Sequence, residues 1–226
     1  MRKILFTQWF DSSTEVMSYN CYCLYKNISN THIDHIYVFD ENKSFNNIYS
    51  EKVSVIPIES RLSYSDWFYY SGQNKSDDIK ILANSDIYFD DSISVLNKLN
   101  MHDDTLYIGT RVDVTKKGDI VPSTAMYGDG GREVDPDRSQ DVWIYKNINL
   151  KFNSDFILGE QHCDGQLRVS AQKGGVNVVS LFPHLRCIHV DWRRSKPEYT
   201  KGYEMVERRP IEYWNRQEEL FCFKLS

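Results

Sequence analysis

Two hydrophobic rhythms alternate along the first hundred residues. Residues 4–8 are a short apolar run of strand type. Met17, Cys21, Leu24 and Ile28 follow at helical spacing, behind Ser12 and Glu15, which have the spacing of a capping box. Residues 35–40, 53–58 and 79–83 read as three further strands. Helices are predicted over the aromatic-rich segment 61–73 and over 92–99, where Ile93, Leu96 and Leu99 share a side. This alternation predicts an α/β chain with a Rossmann-like, mostly parallel central sheet flanked by helices. Such sheets bind ligands beyond the carboxyl ends of their strands. Asp40, Asn84 and Asp86 all fall at such ends.

The second hundred residues follow a mixed pattern. A strand over 105–114 leads to a turn at 116–119, a glycine-rich charged loop over 127–141 and a strand over 142–146. A helix over 165–173 stops at Gly174, and strands over 176–180 and 186–190 close the pattern. Beyond Asp191 the chain is basic and aromatic with no periodicity.

Composition narrows the possibilities. With 41% apolar and 26% charged residues, the chain of 226 can bury a core of one ordinary domain. Its 15 Tyr and 5 Trp suit stacking on sugars or bases, or an ordinary Tyr-rich core. A net charge of -5 provides no basic field for nucleic acid. Five irregularly spaced cysteines with no CxxC pair argue against a zinc knuckle or a disulfide framework. They read as reduced thiols of a cytoplasmic protein. The N-terminus turns polar too soon for a signal peptide, and no apolar run approaches the roughly 18 residues of a membrane span.

The candidate chemistry begins at Asn84-Ser85-Asp86, where an apolar strand delivers two polar side chains at i and i+2. On extended chain both point the same way. One can meet a sugar or ribose hydroxyl while the other coordinates a cation bridging two phosphates. A plain Asx turn is the simpler reading. A second constellation runs Phe156-Ile157-Leu158-Gly159-Glu160, then Asp164, Leu167 and Arg168, then Gly174-Gly175, an apolar strand, Pro183 and Ile188-His189.

With these two motifs in this order, residues 3–191 resemble the nucleotide-sugar-dependent glycosyltransferases of the A-type fold, whose signature is Asp-x-Asp. The resemblance implies one glycosyltransferase domain over 1–226, with a nucleotide-sugar-binding half (1–100), an acceptor and catalytic half (101–191) and a C-terminal tail (192–226). It implies that Asp86 binds the metal and that His189 completes the metal or phosphate site. A His ligand leans the ion toward Mn2+ over Mg2+. Asn84 stands where the family has its first Asp, so a hydroxyl contact suits it better than a metal bond, with Ser85 beside it. Asp164 matches the general base of an inverting transfer, since a carboxylate must take the acceptor's proton. Read without the resemblance, His189 is a satisfied core histidine and Asp164 a helix cap; Glu160 is the second choice as base.

Gln8, Trp9 and Asp40 fit the family's base and ribose pocket. Arg61 and Tyr64, with Trp67, reach the donor or simply form an amphipathic helix. Asp141, expected to be exposed, and Trp143 follow the glycine-rich loop and face a sugar or merely start a strand. His162 is placed with the acceptor. Arg193, in the tail, closes over the diphosphate or lies in solvent. The implied partners are a UDP-sugar donor and a glycan acceptor, with peripheral association with glycan-assembly machinery. Two rival classes stay open: a metal-dependent nucleotidyltransferase or phosphoesterase, and a non-catalytic carbohydrate-binding module.

Overall fold

The computed structural model describes residues 1–45, 48, 50–75, 77–114, 120–122 and 140–190. The predicted turn at 116–119, most of the glycine-rich loop, and the tail with Arg193 lie outside the described residues.

Four parallel strands form the first half of the sheet. β1 (Lys3–Trp9) pairs on one side with β2 (His35–Asp40), which pairs with β3 (Val53–Pro57), and on the other side with β4 (Ile79–Ala83). The chain then enters β5 (Ile87–Phe89), a 3-10 helix over Asp91–Asn97, and the long β6 (Thr105–Val114). After β7 (Ile120–Pro122), β8 (Gln140–Tyr145) inserts antiparallel between β4 and β6. β9 (Asn177–Ser180) and β10 (Cys187–His189) both pair parallel with β6, and β5 closes the far edge against β10. The order is β3-β2-β1-β4-β8-β6-β10-β5. The expected parallel first half and mixed second half are both present.

Helices cover both faces. α1 (Thr14–Ser29) lays Leu24, with Met17 and Ile28 beside it, on Leu5, Ile36 and Ile81. Its cap is Ser13, which accepts from the Val16 N–H, not the expected Ser12. Lys52 Nζ donates to the carbonyls of Asn27, Ile28 and Asn30 at the other end, a cation where the helix dipole favours one. On the opposite face lie α2 (Tyr64–Gly72), begun by a Ser63–Asp66 capping box, and α3 (Cys163–Lys173). They bury Trp67, Phe68, Leu167 and Ala171 against Ile4, Phe6, Leu82 and Trp143. The helix expected over 92–99 is a 3-10 helix instead, its start held by the Asp90 carboxylate. Among the described residues no helix is long and apolar enough to cross a membrane.

Candidate active site

β4 ends at Ala83 and the chain turns at once. The Ile87 N–H donates to the Asn84 carbonyl at 3.1 Å, so residues 84–87 form a tight turn into β5. The expected extended geometry, with 84 and 86 on one face, does not occur. Three polar residues between two buried apolar strands favour a turn, as Asn and Asp commonly do. Their side chains are gathered by other means.

Strand register brings His189 to Asp86. In β10, His189 lies beside Asp113 of β6 and opposite Ile87 of β5, and the Val190 N–H donates to the Asp86 carbonyl at 2.9 Å. His189 Nε2 is 3.2 Å from Asp86 Oδ2, and its Nδ1 is 2.8 Å from Asp113 Oδ1. The imidazole is 4% exposed as a residue. Burial alone would lower its pKa; the bonds to Asp113 and Asp86 outweigh burial and raise it to about 9.

Asp141 joins from β8. Gly109 faces Val142 while Thr110 faces Gln140, so Asp141 is the extra residue of a β-bulge. The bulge aims its carboxylate inward, where it accepts from Asn84 Nδ2 at 2.9 Å and from Arg111 Nη1 at 3.2 Å. Its side chain is 16% exposed, which corrects the expectation that it is open to solvent. Burial raises the Asp141 carboxyl above the usual range; Arg111 and His189 pull it back, and Asp86 and Asp164 add repulsion. Arg111 Nε also lies 3.8 Å from Asp113 Oδ1. The contacts form a ring: Asn84, Asp141, Arg111, Asp113, His189, Asp86, and back to the turn.

Arg111 and Asp113 were missed from sequence. The available signal was two charges at alternate positions near the end of a strand whose earlier residues are apolar, which puts both on one face.

Asp86 and His189 fit a divalent cation. Two adjacent ligands of an octahedral ion bound at about 2.1 Å stand about 3 Å apart, which matches the 3.2 Å between Oδ2 and Nε2. Among the described residues no group of three or more His, Cys, Asp or Glu converges as a metal cluster. A cation there would have Asp86 and His189 as its candidate donors among the described residues.

Asp164 stands in the first turn of α3. The cap position belongs to His162, in a left-handed conformation (φ 66°) and without a side-chain capping bond. Asp164 is therefore not the helix cap. Its charge acts on both Asp141 and Tyr64. His162 does not join it: it lines an open groove of about 450 Å³ with Phe156, Gln166, Val169 and Lys173. At about 100° per residue, Gln166 and Val169 lie round the helix from Asp164.

The remaining candidates divide. Arg61 sits at the strand ends with its guanidinium 5.2 Å over the Phe10 ring and 3.9 Å from Glu41. Tyr64 and Trp143 are 4% and 1% exposed and pack edge to face, with the indole N–H donating to the Tyr64 hydroxyl at 3.2 Å. Both belong to the core, because their strand and helix positions face its apolar side; they offer no surface to a sugar or a base. Gln8, Trp9 and Asp40 are also buried. The Asp40 oxygens accept from the backbone of Ser44 and Phe45, so this carboxylate shapes the loop after β2.

This sheet, with its turn, bulge and flanking helices, is a GT-A-like fold. Many solved structures are similar to it, and three of them show the range. One is S. aureus TarS 1–349 in complex with UDP-GlcNAc, at 11% identity and TM-score 0.54, over 84% of this chain and 59% of that one. Another is GalNAc-T7 with UDP, GalNAc and Mn2+, at 10% and 0.51, over 86% and 44%. The third is HddC from Yersinia pseudotuberculosis, at 14% and 0.52, over 91% and 100%. The chain thus spans about three fifths of the TarS chain it matches. No protein-family model and no curated protein matches the sequence.

Proposed function

We propose that this chain is a metal-dependent glycosyltransferase that moves a sugar from a nucleotide-sugar, a UDP-sugar, to a hydroxyl of a glycan acceptor. The observation that carries the reading is the Asp86–His189 pair, a carboxylate on the turn after β4 and an imidazole from β10 with their Oδ2 and Nε2 atoms 3.2 Å apart. The fold likeness to TarS with UDP-GlcNAc and to GalNAc-T7 with UDP, GalNAc and Mn2+ supports it.

Asp86 and His189 hold the cation, Mn2+ or Mg2+. When bound, it offsets the negative charge that builds on the departing diphosphate. Asn84 and Ser85 face the donor's hydroxyls from the same turn, and Arg61 waits at the rim beside Phe10 for the nucleotide. Asp164 takes the proton of the acceptor hydroxyl as that oxygen bonds to the anomeric carbon and the carbon–diphosphate bond breaks, with inversion. The first turn of a helix favours such an anion. Residues 1–100 then serve the donor and 101–191 the acceptor, with His189 of the second half reaching back to the cation. The free thiols of Cys21, Cys23, Cys163 and Cys187 support a cytoplasmic setting.

A thermal-shift panel of nucleotide-sugars and nucleoside triphosphates, each with and without Mn2+, tests the reading, because a bound ligand stabilises the fold by mass action. The expected result is a Mn2+-dependent shift with a UDP-sugar. Turnover of nucleoside triphosphates without a sugar donor would show a nucleotidyltransferase instead. Asp164→Asn should keep the donor shift and lose about 10²–10⁴ in turnover; near-normal turnover removes Asp164 as the base.

A further inference from the structure

One carboxylate of the ring touches neither the turn nor Asp141. Asp113 lies directly beside His189 in the parallel register of β6 and β10, so the two side chains share a sheet face. Its Oδ1 is 2.8 Å from His189 Nδ1, and Arg111, two residues back on that face, stands 3.8 Å from the same oxygen. The His189 side chain is 5% exposed and that of Asp113 20%, so the contact is largely shielded from water.

An ionised carboxylate only accepts hydrogen bonds. A neutral imidazole bonded to it at Nδ1 therefore keeps its single proton there and leaves a lone pair on Nε2. Asp86 Oδ2 faces Nε2 at 3.2 Å and competes for that proton, but the Asp113 contact is the shorter, at 2.8 Å, and the better shielded, with Asp86 35% exposed against 20% for Asp113. We infer that Asp113 is a positioning residue: by holding the Nδ1–H of His189 it commits Nε2 as the nitrogen that joins Asp86 in binding the cation. Arg111 adds a positive charge 3.8 Å from that same Asp113 oxygen. The inference rests on the metal reading proposed above.

Partners of this kind contribute about 10- to 100-fold to metal affinity. The test is Mn2+ binding without donor, followed by the electron paramagnetic resonance of free Mn2+, in the wild type, Asp113→Ala, Asp113→Asn and His189→Ala, each checked for folding by circular dichroism. Asp113→Ala should weaken binding 10- to 100-fold. Asp113→Asn, which keeps an accepting oxygen, should recover most of that loss. A second measurement needs no variant at the carboxylate: nitrogen-15 spectra of the neutral His189 ring in the metal-free wild type at pH 10 should show the proton on Nδ1. Binding by Asp113→Ala within twofold of the wild type, with His189→Ala clearly weakened, overturns the positioning role and leaves the metal site standing. A ring proton on Nε2 overturns it as well. Equal binding by the wild type and His189→Ala overturns the metal reading itself.

Discussion

Replacing Arg111 by Met tests the energetic logic of the ring. The substitution keeps the aliphatic stem and removes the guanidinium that lies between Asp113 and Asp141. The Arg111 side chain is 14% exposed and that of Asp141 16%, so the pair is mostly shielded. Removing one partner of a buried ion pair costs about 3–5 kcal/mol, because the other charge is left without compensation. Partial exposure places this variant at the lower end, about 3 kcal/mol. For a chain of this size that lowers Tm by roughly 6–12 °C. The pH dependence has a definite sign. Burial already raises the Asp141 carboxyl while Arg111 lowers it, so losing Arg111 raises it further. A carboxyl whose folded pKa lies above its unfolded value penalises the fold at high pH, and the penalty fades as pH falls and the group protonates. The deficit of Arg111→Met should therefore be full near pH 8 and shrink toward pH 5 in urea denaturation. Adding Asp141→Asn should recover more than about 1 kcal/mol at pH 8, since paired residues are not additive. A variant that melts within 2 °C of the wild type at pH 8, or a deficit unchanged by Asp141→Asn, refutes the argument.

Three further outcomes follow from the same structure. A Cβ on Gly109 would collide with Cys187 Sγ and press on Val142, so Gly109→Ala should cost about 1–3 kcal/mol in urea denaturation. Asn27 is 3% exposed, donates to the Ile87 carbonyl at 2.9 Å and accepts from the Phe89 N–H at 3.0 Å. Asn27→Leu leaves both backbone groups of β5 unpaired and should lower stability by about 2–4 kcal/mol in the same assay, whereas a loss under 1 kcal/mol would contradict the clamp. His189, raised to about 9 from an ordinary 6.5, contributes stability that is whole below pH 6.5 and lost as pH rises through 9, about 3 kcal/mol in all; metal-free protein in chelator should show this decline, and His189→Gln should flatten it.

Local periodicity made most of the fold readable. The strands at 35–40, 79–83 and 105–114 have the predicted bounds, because apolar runs closed by turn residues have few other uses. Asp86 and His189 were legible through motif order, and they meet. Asp141 was legible as a residue and misread as exposed, because a bulge leaves no mark in hydrophobic periodicity. Trp143 and Tyr64 were misread for a related reason: aromatic side chains near polar segments look like binding surface until strand pairing shows which face they take. Arg111 and Asp113 are separated from His189 by more than seventy residues, and nothing in the chain states that β10 will lie beside β6. Pairing partners, not elements, were the missing information.

The position of the ring follows from a geometric conflict in the sheet. β4 and β5 are joined by three residues, yet β8, β6 and β10 lie between them in the strand order. On a flat sheet four strand spacings would separate them by about 19 Å. The turn allows far less, since the ends of a β-turn lie under about 7 Å apart. The sheet must therefore curl until β5 returns beside the end of β4. β6 makes that bend: its first part pairs with β8 and β9, and its last residues pair with β10 and β7. The register slip at Gly109 and Thr110, with Asp141 as the extra residue, sits at the bend, where a bulge increases local twist. Curling wraps the ends of β8, β6 and β10 around the turn, and each strand contributes there the polar residue that its own register aims inward: Asp141, Arg111 with Asp113, and His189. The same crossing that shortens the path from β4 to β5 thus gathers four charged or titratable groups around Asn84 and Asp86. It also explains why Gly109, at the tightest approach of β6 to its neighbours, has no room for a side chain.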